Sequence, residues 1–266
     1  MSFLINNTNL KEAYFNSQAV KNIYYNNNLV WEAFTWPGWA NATWEDIYNL
    51  CKAKQEGKID AWPDDVVLGA TKETTLSTAI LGTSTFTMRI IGLDIDGEGV
   101  ITFDSQYYTA QNMTVSSLST YQDNFYNYCN AKPYIKSLRK GTAEADTSRN
   151  GSVTYTDSYV WILSERELNL DSYSGISVAN SSTTKAECTY GVNAPYPYFT
   201  SDDTRKKTAA GSSTGYGYSW LTRSTNATTI FFNTYTYLVV VTAGGKTENT
   251  SSNSTSTRFS PCFAIG

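Results

Sequence analysis

The sequence predicts an α+β fold: a mixed body over residues 36–266, preceded by a small β-hairpin module over residues 1–35. Three observations lead there. A helical pattern with start and stop residues occupies 43–58. Apolar runs of strand length are spread along the rest of the body. The opening stretch "KNIYYNNNLVWEAF" (21–34) holds two apolar runs joined by three asparagines. The 266 residues give room for one large domain and a small module, and a body of this size buries roughly 75% of its unfolded surface.

The elements follow in chain order. Val20, Ile23 and Tyr25 precede the asparagines, and Leu29, Val30 and Trp31 follow. Asparagine tolerates left-handed backbone, so a hairpin turn is expected there. An isolated two-stranded hairpin is marginal in water and needs something to pack on. "WPGW" (36–39) reads as a corner. In "TWEDIYNLCKAKQEGK" (43–58), Thr43 is placed to N-cap and Asp46 to sit at N3, where its charge suits the helix start. Ile47, Leu50 and Cys51 share a face, Lys52 and Lys54 lie in the last turns, and Gly57 supplies the stop.

Strands are expected at 65–69, at 86–93 with Phe86, Met88 and Ile90 on one side, and at 100–103 after the turn "DIDGEG" (94–99). Tyr121, Phe125, Tyr128 and Cys129 carry helical spacing at about 120–130, ended by Pro133. The stretch 134–140 is ambiguous. "YVWIL" (159–163) is apolar on both faces, which predicts a central buried strand. "SERE" after it fits a capping box, with Ser164 as N-cap and Glu167 at N3. Residues 171–219 hold no period and read as a long ordered surface loop. "YLVVV" (237–241) predicts another central strand, 247–257 a polar loop, and "RFSPCFAIG" (258–266) a final strand.

Composition narrows the function classes. Charged residues make up 17%, and the net charge is −4; a nucleic-acid binder needs a basic face, so none is expected. No apolar run approaches the ~20 residues of a membrane span, and the first residues lack the basic and apolar regions of a secretory signal. The N-x-S/T sequons, such as Asn41–Thr43, are then expected to be incidental. Histidine is absent, which removes the usual general base and the commonest metal ligand. Cys51, Cys129, Cys188 and Cys262 lie far apart. Zinc and redox motifs need close pairs, so four buried free thiols are expected.

Several phrases then occur in a familiar order: "TWEDI", "IIGLDIDGEGVITF", "DSYVWILSERE", "DDTRKK", "YSWLTRS" and the ending "RFSPCFAIG". This order resembles a DUF6273-like family of bacterial and phage domains over about residues 43–266. Thr222 stands as an insertion before Arg223, and the spacing from Arg258 to Pro261 is stretched relative to that family. The resemblance implies a C-type-lectin-like fold, in which a long loop region presents the binding face. "KNIYYNNNLVWEA" resembles short modules at one end of phage virion proteins. It implies that Ile23, Tyr24, Tyr25, Leu29, Val30 and Trp31 dock onto another virion subunit.

Each candidate site has a plain alternative. Asp94 and Asp96 fit the start of a calcium loop, but the twelfth residue is Ser105 where a glutamate is needed, so a turn is expected. Glu165 with Glu167, or Asp202 with Asp203, would suit glycoside cleavage, yet Glu167 has a capping role and Asp202 and Asp203 lie in a polar loop. Formylglycine-generating enzymes share a lectin-like scaffold and need a cysteine pair near the end, where Cys262 stands alone. "TRKK" (204–207) could grip an anionic polymer, but in the resembling family Arg205 belongs to the framework. Trp161 and Trp220 are expected in the core. The remaining set is Tyr190, Tyr196, Tyr198, Phe199, Tyr216 and Tyr218, set among Gly, Ser and Asn. Tyrosines in such surroundings make adaptable recognition surfaces.

The expectation is therefore a non-enzymatic, homo-oligomeric phage virion protein of the tail, baseplate or fibre, with no cofactor and no metal. It would bind a bacterial surface glycan or protein. Two alternatives stay open: a decoration protein that stabilises the head or tail, and a cell-wall glycan hydrolase.

Overall fold

The computed structural model describes residues 13–15, 18–25, 28–79, 84–109, 117–143, 153–170, 188–192, 194–209, 219–230, 233–243, 245–251 and 257–266. The chain is α+β. Its first elements are two short antiparallel hairpins, β1 (Ala13–Phe15) with β2 (Gln18–Val20), and β3 (Asn22–Tyr25) with β4 (Asn28–Glu32). The second is the hairpin expected from the sequence, with Ile23 opposite Trp31 and Tyr24 opposite Leu29. Asn26 and Asn27 lie outside the described residues. Among those residues neither hairpin joins a larger sheet.

Helix α1 (Trp44–Gln55) begins as its sequence dictates. Thr43 Oγ1 accepts from the Asp46 backbone N–H at 3.1 Å, and Asp46 Oδ2 accepts from the Thr43 N–H at 2.8 Å. Gly57, at φ +65°, follows its end, the left-handed turn for which glycine is suited. Trp44, Ile47, Leu50 and Cys51 are buried.

The main sheet has five strands in the order β5 (Thr71–Thr75), β6 (Thr85–Leu93), β7 (Ile101–Ser105), β16 (Cys262–Ile265) and β9 (Ile135–Lys136), all antiparallel. The C-terminal strand therefore lies inside the sheet, between β7 and β9. Side chains alternate across a strand, and each face of this sheet has its own core. Phe86, Met88, Ile90, Ile101, Phe103, Phe263 and Ile265 join α1 and Phe125 of α2 (Leu118–Tyr128) on one face. Ile91, Cys262 and Ala264 join Trp161, Leu163, Tyr196, Phe199, Trp220 and Val241 on the other. Both helices cover the first face, and the excursion between β9 and β16 covers the second.

That excursion contains four further groups. β10 (Leu138–Ala143) and β11 (Val153–Ser158) form a ribbon. β12 (Thr208–Ala209) pairs in parallel with β8 (Tyr107–Tyr108). α3 (Asp202–Arg205) is a single turn. β13 (Trp220–Ile230), β14 (Asn233–Val241) and β15 (Thr247–Ser251) form a three-stranded sheet with β14 at its centre, as "YLVVV" predicts.

Three expectations are corrected. Residues 65–69 are turns, closed by Val66 N–H to Pro63 O at 2.9 Å and Ala70 N–H to Val67 O at 3.0 Å. Only Val66 of their apolar side chains is buried, while Val67 and Leu68 are exposed. The strand there is the polar β5, recruited by its neighbour and not by its own hydrophobicity. Residues 160–163 are buried and Tyr159 is exposed, but the stretch is not a sheet strand: Trp161 makes one bridge, exchanging backbone hydrogen bonds with Cys262 at 3.0 and 2.8 Å. Val160 and Ile162 enter one core and Trp161 and Leu163 the other, so the two-faced apolar pattern records two cores. Finally, residues 247–251 of the expected polar loop are β15.

Candidate functional site

The second face of the main sheet carries two buried charged networks. The first begins at the 94–99 turn. Asp94, at φ +60°, accepts from the Gly99 N–H at 2.7 Å and from Trp62 Nε1 at 2.8 Å, so its carboxylate holds the turn. Asp96 points inward. It accepts from Thr102 Oγ1 at 2.5 Å, from Tyr196 OH at 2.7 Å and from Thr189 Oγ1. Lys140 Nζ lies 3.5 Å from Asp96 Oδ1 and donates to Glu167 Oε1 at 2.9 Å, Thr189 Oγ1 at 2.7 Å and Tyr196 OH at 2.8 Å. It also sits 4.1 Å from the centre of the Trp161 ring.

Glu167 occupies the position its motif predicts. Ser164 Oγ accepts from the Glu167 N–H at 3.1 Å, and Glu167 Oε2 accepts from the Ser164 N–H at 3.2 Å. The box caps a single helical turn, closed by Leu168 N–H to Ser164 O at 3.1 Å. Arg223 then donates to Glu167 Oε2 at 2.5 Å, to Ile162 O at 2.8 Å and to Gly141 O at 2.9 Å. Two cations and two anions thus close a neutral set. Burial pushes the Asp96 and Glu167 carboxyls up, but the opposing pull of Lys140 and of hydrogen bonds on Asp96, and of Arg223 and Lys140 on Glu167, leaves both below their ordinary values. Burial beside these anions holds the Tyr196 hydroxyl well above its ordinary value.

The second network centres on Asp104 of β7. Arg89, its cross-strand partner, donates to Oδ2 at 3.0 Å. Lys207 Nζ bonds Oδ1, Ser105 O at 2.6 Å and Ser260 Oγ at 2.6 Å, over the Trp220 ring at 4.5 Å. Burial depresses the Lys207 amine, partly opposed by Asp104. "TRKK" is thereby divided. Arg205 holds Leu168 O, Asn169 O and Asp202, the framework role expected of it. Lys207 is buried, and Lys206 pairs with Asp203 at the surface. Trp161 and Trp220 are core residues, as expected.

The aromatic candidates separate. Tyr196 and Phe199, at 2% and 0% exposure, are core residues and not part of an exposed face. Tyr196 is drawn in by its hydroxyl's bonds to Asp96 and Lys140, and Phe199 by the second apolar core. Tyr198 is half-buried, with its hydroxyl accepting from Arg89 at 3.3 Å. Tyr190 is exposed at 61%, and Tyr216 and Tyr218 lie outside the described residues. On the hairpin, Tyr24 is exposed at 60% and Ile23 half-buried, with Tyr25, Leu29, Val30 and Trp31 on its paired strands.

Tyr190 has neighbours that sequence reasoning missed. Its ring meets Tyr155 edge-on, with centroids 5.0 Å apart, and Arg139 Cζ lies 5.2 Å from its centre. The signal available was the "LRKGTA" and "VTYTDS" pair, a ribbon with polar and aromatic residues on one side. An open groove of about 410 Å³ also lies between Ala33–Thr35 and α1. Its charges are of mixed sign, and Asp46 and Glu56 are engaged by Thr43 and Lys58.

All four cysteines are buried and unpaired by disulfides, with burial pushing the Cys51 and Cys188 thiols up to about 12 and Cys129 to about 11. Among the described residues no helix is long and apolar enough to cross a membrane. Comparison with known proteins finds no matching family model, no matching curated protein and no matching solved structure.

Proposed function

We propose that the chain is a non-enzymatic attachment protein of a phage particle, held to other virion subunits by its N-terminal hairpin and displaying the body to a bacterial surface. One observation carries this reading. The converging charged groups on the second sheet face are sealed and mutually paired, whereas Tyr190 and Tyr24 stand in solvent. A carboxylate pair locked between cations inside a core has no route to a substrate. An exposed ring on a rigid base suits binding.

The body belongs, in this proposal, with C-type-lectin-like domains of the DUF6273-like kind. Supporting this is the path of the chain, which leaves the main sheet after β9 and returns inside it as β16, between β7 and β9. A homo-oligomer fits the symmetry of virion parts. The test is competition. Purified chain added in excess to cells should block attachment of particles that carry it. Unchanged attachment would favour the decoration role, and sugar released from the cells would favour hydrolysis.

A further inference from the structure

We propose that Arg139, Tyr155, Asp157 and Tyr190 form a preorganised platform for the pyranose ring of a glycan, reading adjacent hydroxyls; this rests on the attachment reading and gives it a site and a ligand class. The four residues come together through two local devices. The first is the β10–β11 ribbon. Leu138 and Lys140 point into the protein, so Arg139 between them points out. Arg139 pairs with Asp157 across the ladder and Gly141 with Tyr155, so the Tyr155 ring faces a position without a side chain. The second device is the turn Thr189–Val192, closed by Val192 N–H to Thr189 O at 2.8 Å. Gly191 adopts φ +80°, with open space where a side chain would be. That turn sets Tyr190 at a corner, and its N–H binds Arg139 O at 2.7 Å.

The platform is stiff because its chain neighbours are anchored. Lys140 follows Arg139, Thr189 precedes Tyr190, and both are fixed in the Asp96–Glu167 network. Lys140 and Thr189 also form a backbone bridge. A surface held in its bound arrangement loses little entropy on binding.

The chemistry matches one kind of ligand. Arg139 lies over both rings, 5.9 Å from Tyr155 and 5.2 Å from Tyr190. A stacked guanidinium keeps its N–H edge free to donate. Exposed Asp157 beside it supplies acceptors only. The open side of Tyr190 offers a flat apolar face. A sugar ring presents C–H groups on its face and vicinal hydroxyls, each both donor and acceptor, at its rim. A protein ligand would call for a larger apolar area than these four residues supply.

The test uses the full labelled chain, an array of pyranose-containing oligosaccharides, and intact bacterial cells before and after mild periodate, which cleaves vicinal diols. Binding to array features is expected, with Tyr190→Ala and Asp157→Asn each weakening it about tenfold, the equivalent of one lost ring or hydrogen-bond contact. Periodate should abolish cell binding. Tyr190 is exposed and Asp157→Asn is isosteric, so circular dichroism should show both variants folded. Equal binding by wild type and both variants overturns the platform and leaves attachment standing. Cell binding that survives periodate but not protease treatment overturns the glycan in favour of a protein receptor. A chain that binds neither array nor cells overturns the platform and the attachment reading together.

Discussion

At the scale of single residues, Glu167 couples most of the second core. It caps the turn after Ser164, binds Lys140 and binds Arg223. Replacing one partner of a buried ion pair leaves the other charge uncompensated, at a cost of about 3–5 kcal/mol. Glu167→Gln should therefore lower unfolding free energy by that order, measured by urea titration at pH 7. The same groups set an acid limit. Asp96 and Glu167 have folded values below their ordinary 3.8 and 4.5. Their stabilisation is present above those ordinary values and is lost as pH falls through the lower folded ones. The urea midpoint of the wild type should hold from neutrality to about pH 5 and then fall steeply. A midpoint flat to pH 3 would refute this role. Here the sequence was legible in part. "SERE" announced the cap because its partners lie three residues apart. Lys140, 27 residues from Glu167, and Asp96, 44 from Lys140, leave no local pattern. Tyr196 misled for the same reason: a tyrosine in a Gly, Ser and Asn-rich stretch looks exposed until its distant partners are known.

At the scale of elements, local signals were reliable where they were self-contained. The Thr43–Asp46 box defined α1, and the Phe86–Met88–Ile90 alternation defined β6. They failed where a neighbour decides. β5 is polar because it is an edge strand, and 159–163 is apolar on both sides because it separates two cores. The 94–99 turn shows how closely elements are fitted. A Cβ on Gly99 would stand 2.8 Å from Cys51 O and 2.4 Å from Gln55 Cγ, at φ +68°. Gly99→Ala should push the turn off α1 and cost about 2–4 kcal/mol, through both clash and left-handed strain. Differential scanning calorimetry would measure it, and an unchanged Tm would show that the turn and helix are not in contact. The β3–β4 hairpin is the opposite case. A peptide of residues 18–36 should be unstructured in water by NMR, because two strands alone are marginal. The chain lacking residues 1–32 should still unfold cooperatively, since its two cores are built from later residues. Loss of that cooperativity would make the hairpin part of the body.

At the scale of the molecule, the design separates charge from surface. Ionisable groups that meet on the second sheet face are buried and paired, while the rings of Tyr190 and Tyr24 are left outside. The coarse α+β class followed from the order of helical and strand patterns. The arrangement of the sheet did not, because β16 is inserted between β7 and β9 only after the long excursion from Lys136 to Cys262, which sequence periodicity cannot encode. Cryo-electron microscopy of intact particles is the most direct measurement of the central claim. Density for this chain should appear with the N-terminal hairpin against a neighbouring subunit and the Arg139–Tyr190 side facing outward. Particles without the chain, or a hairpin folded onto its own body with no neighbour, would contradict it.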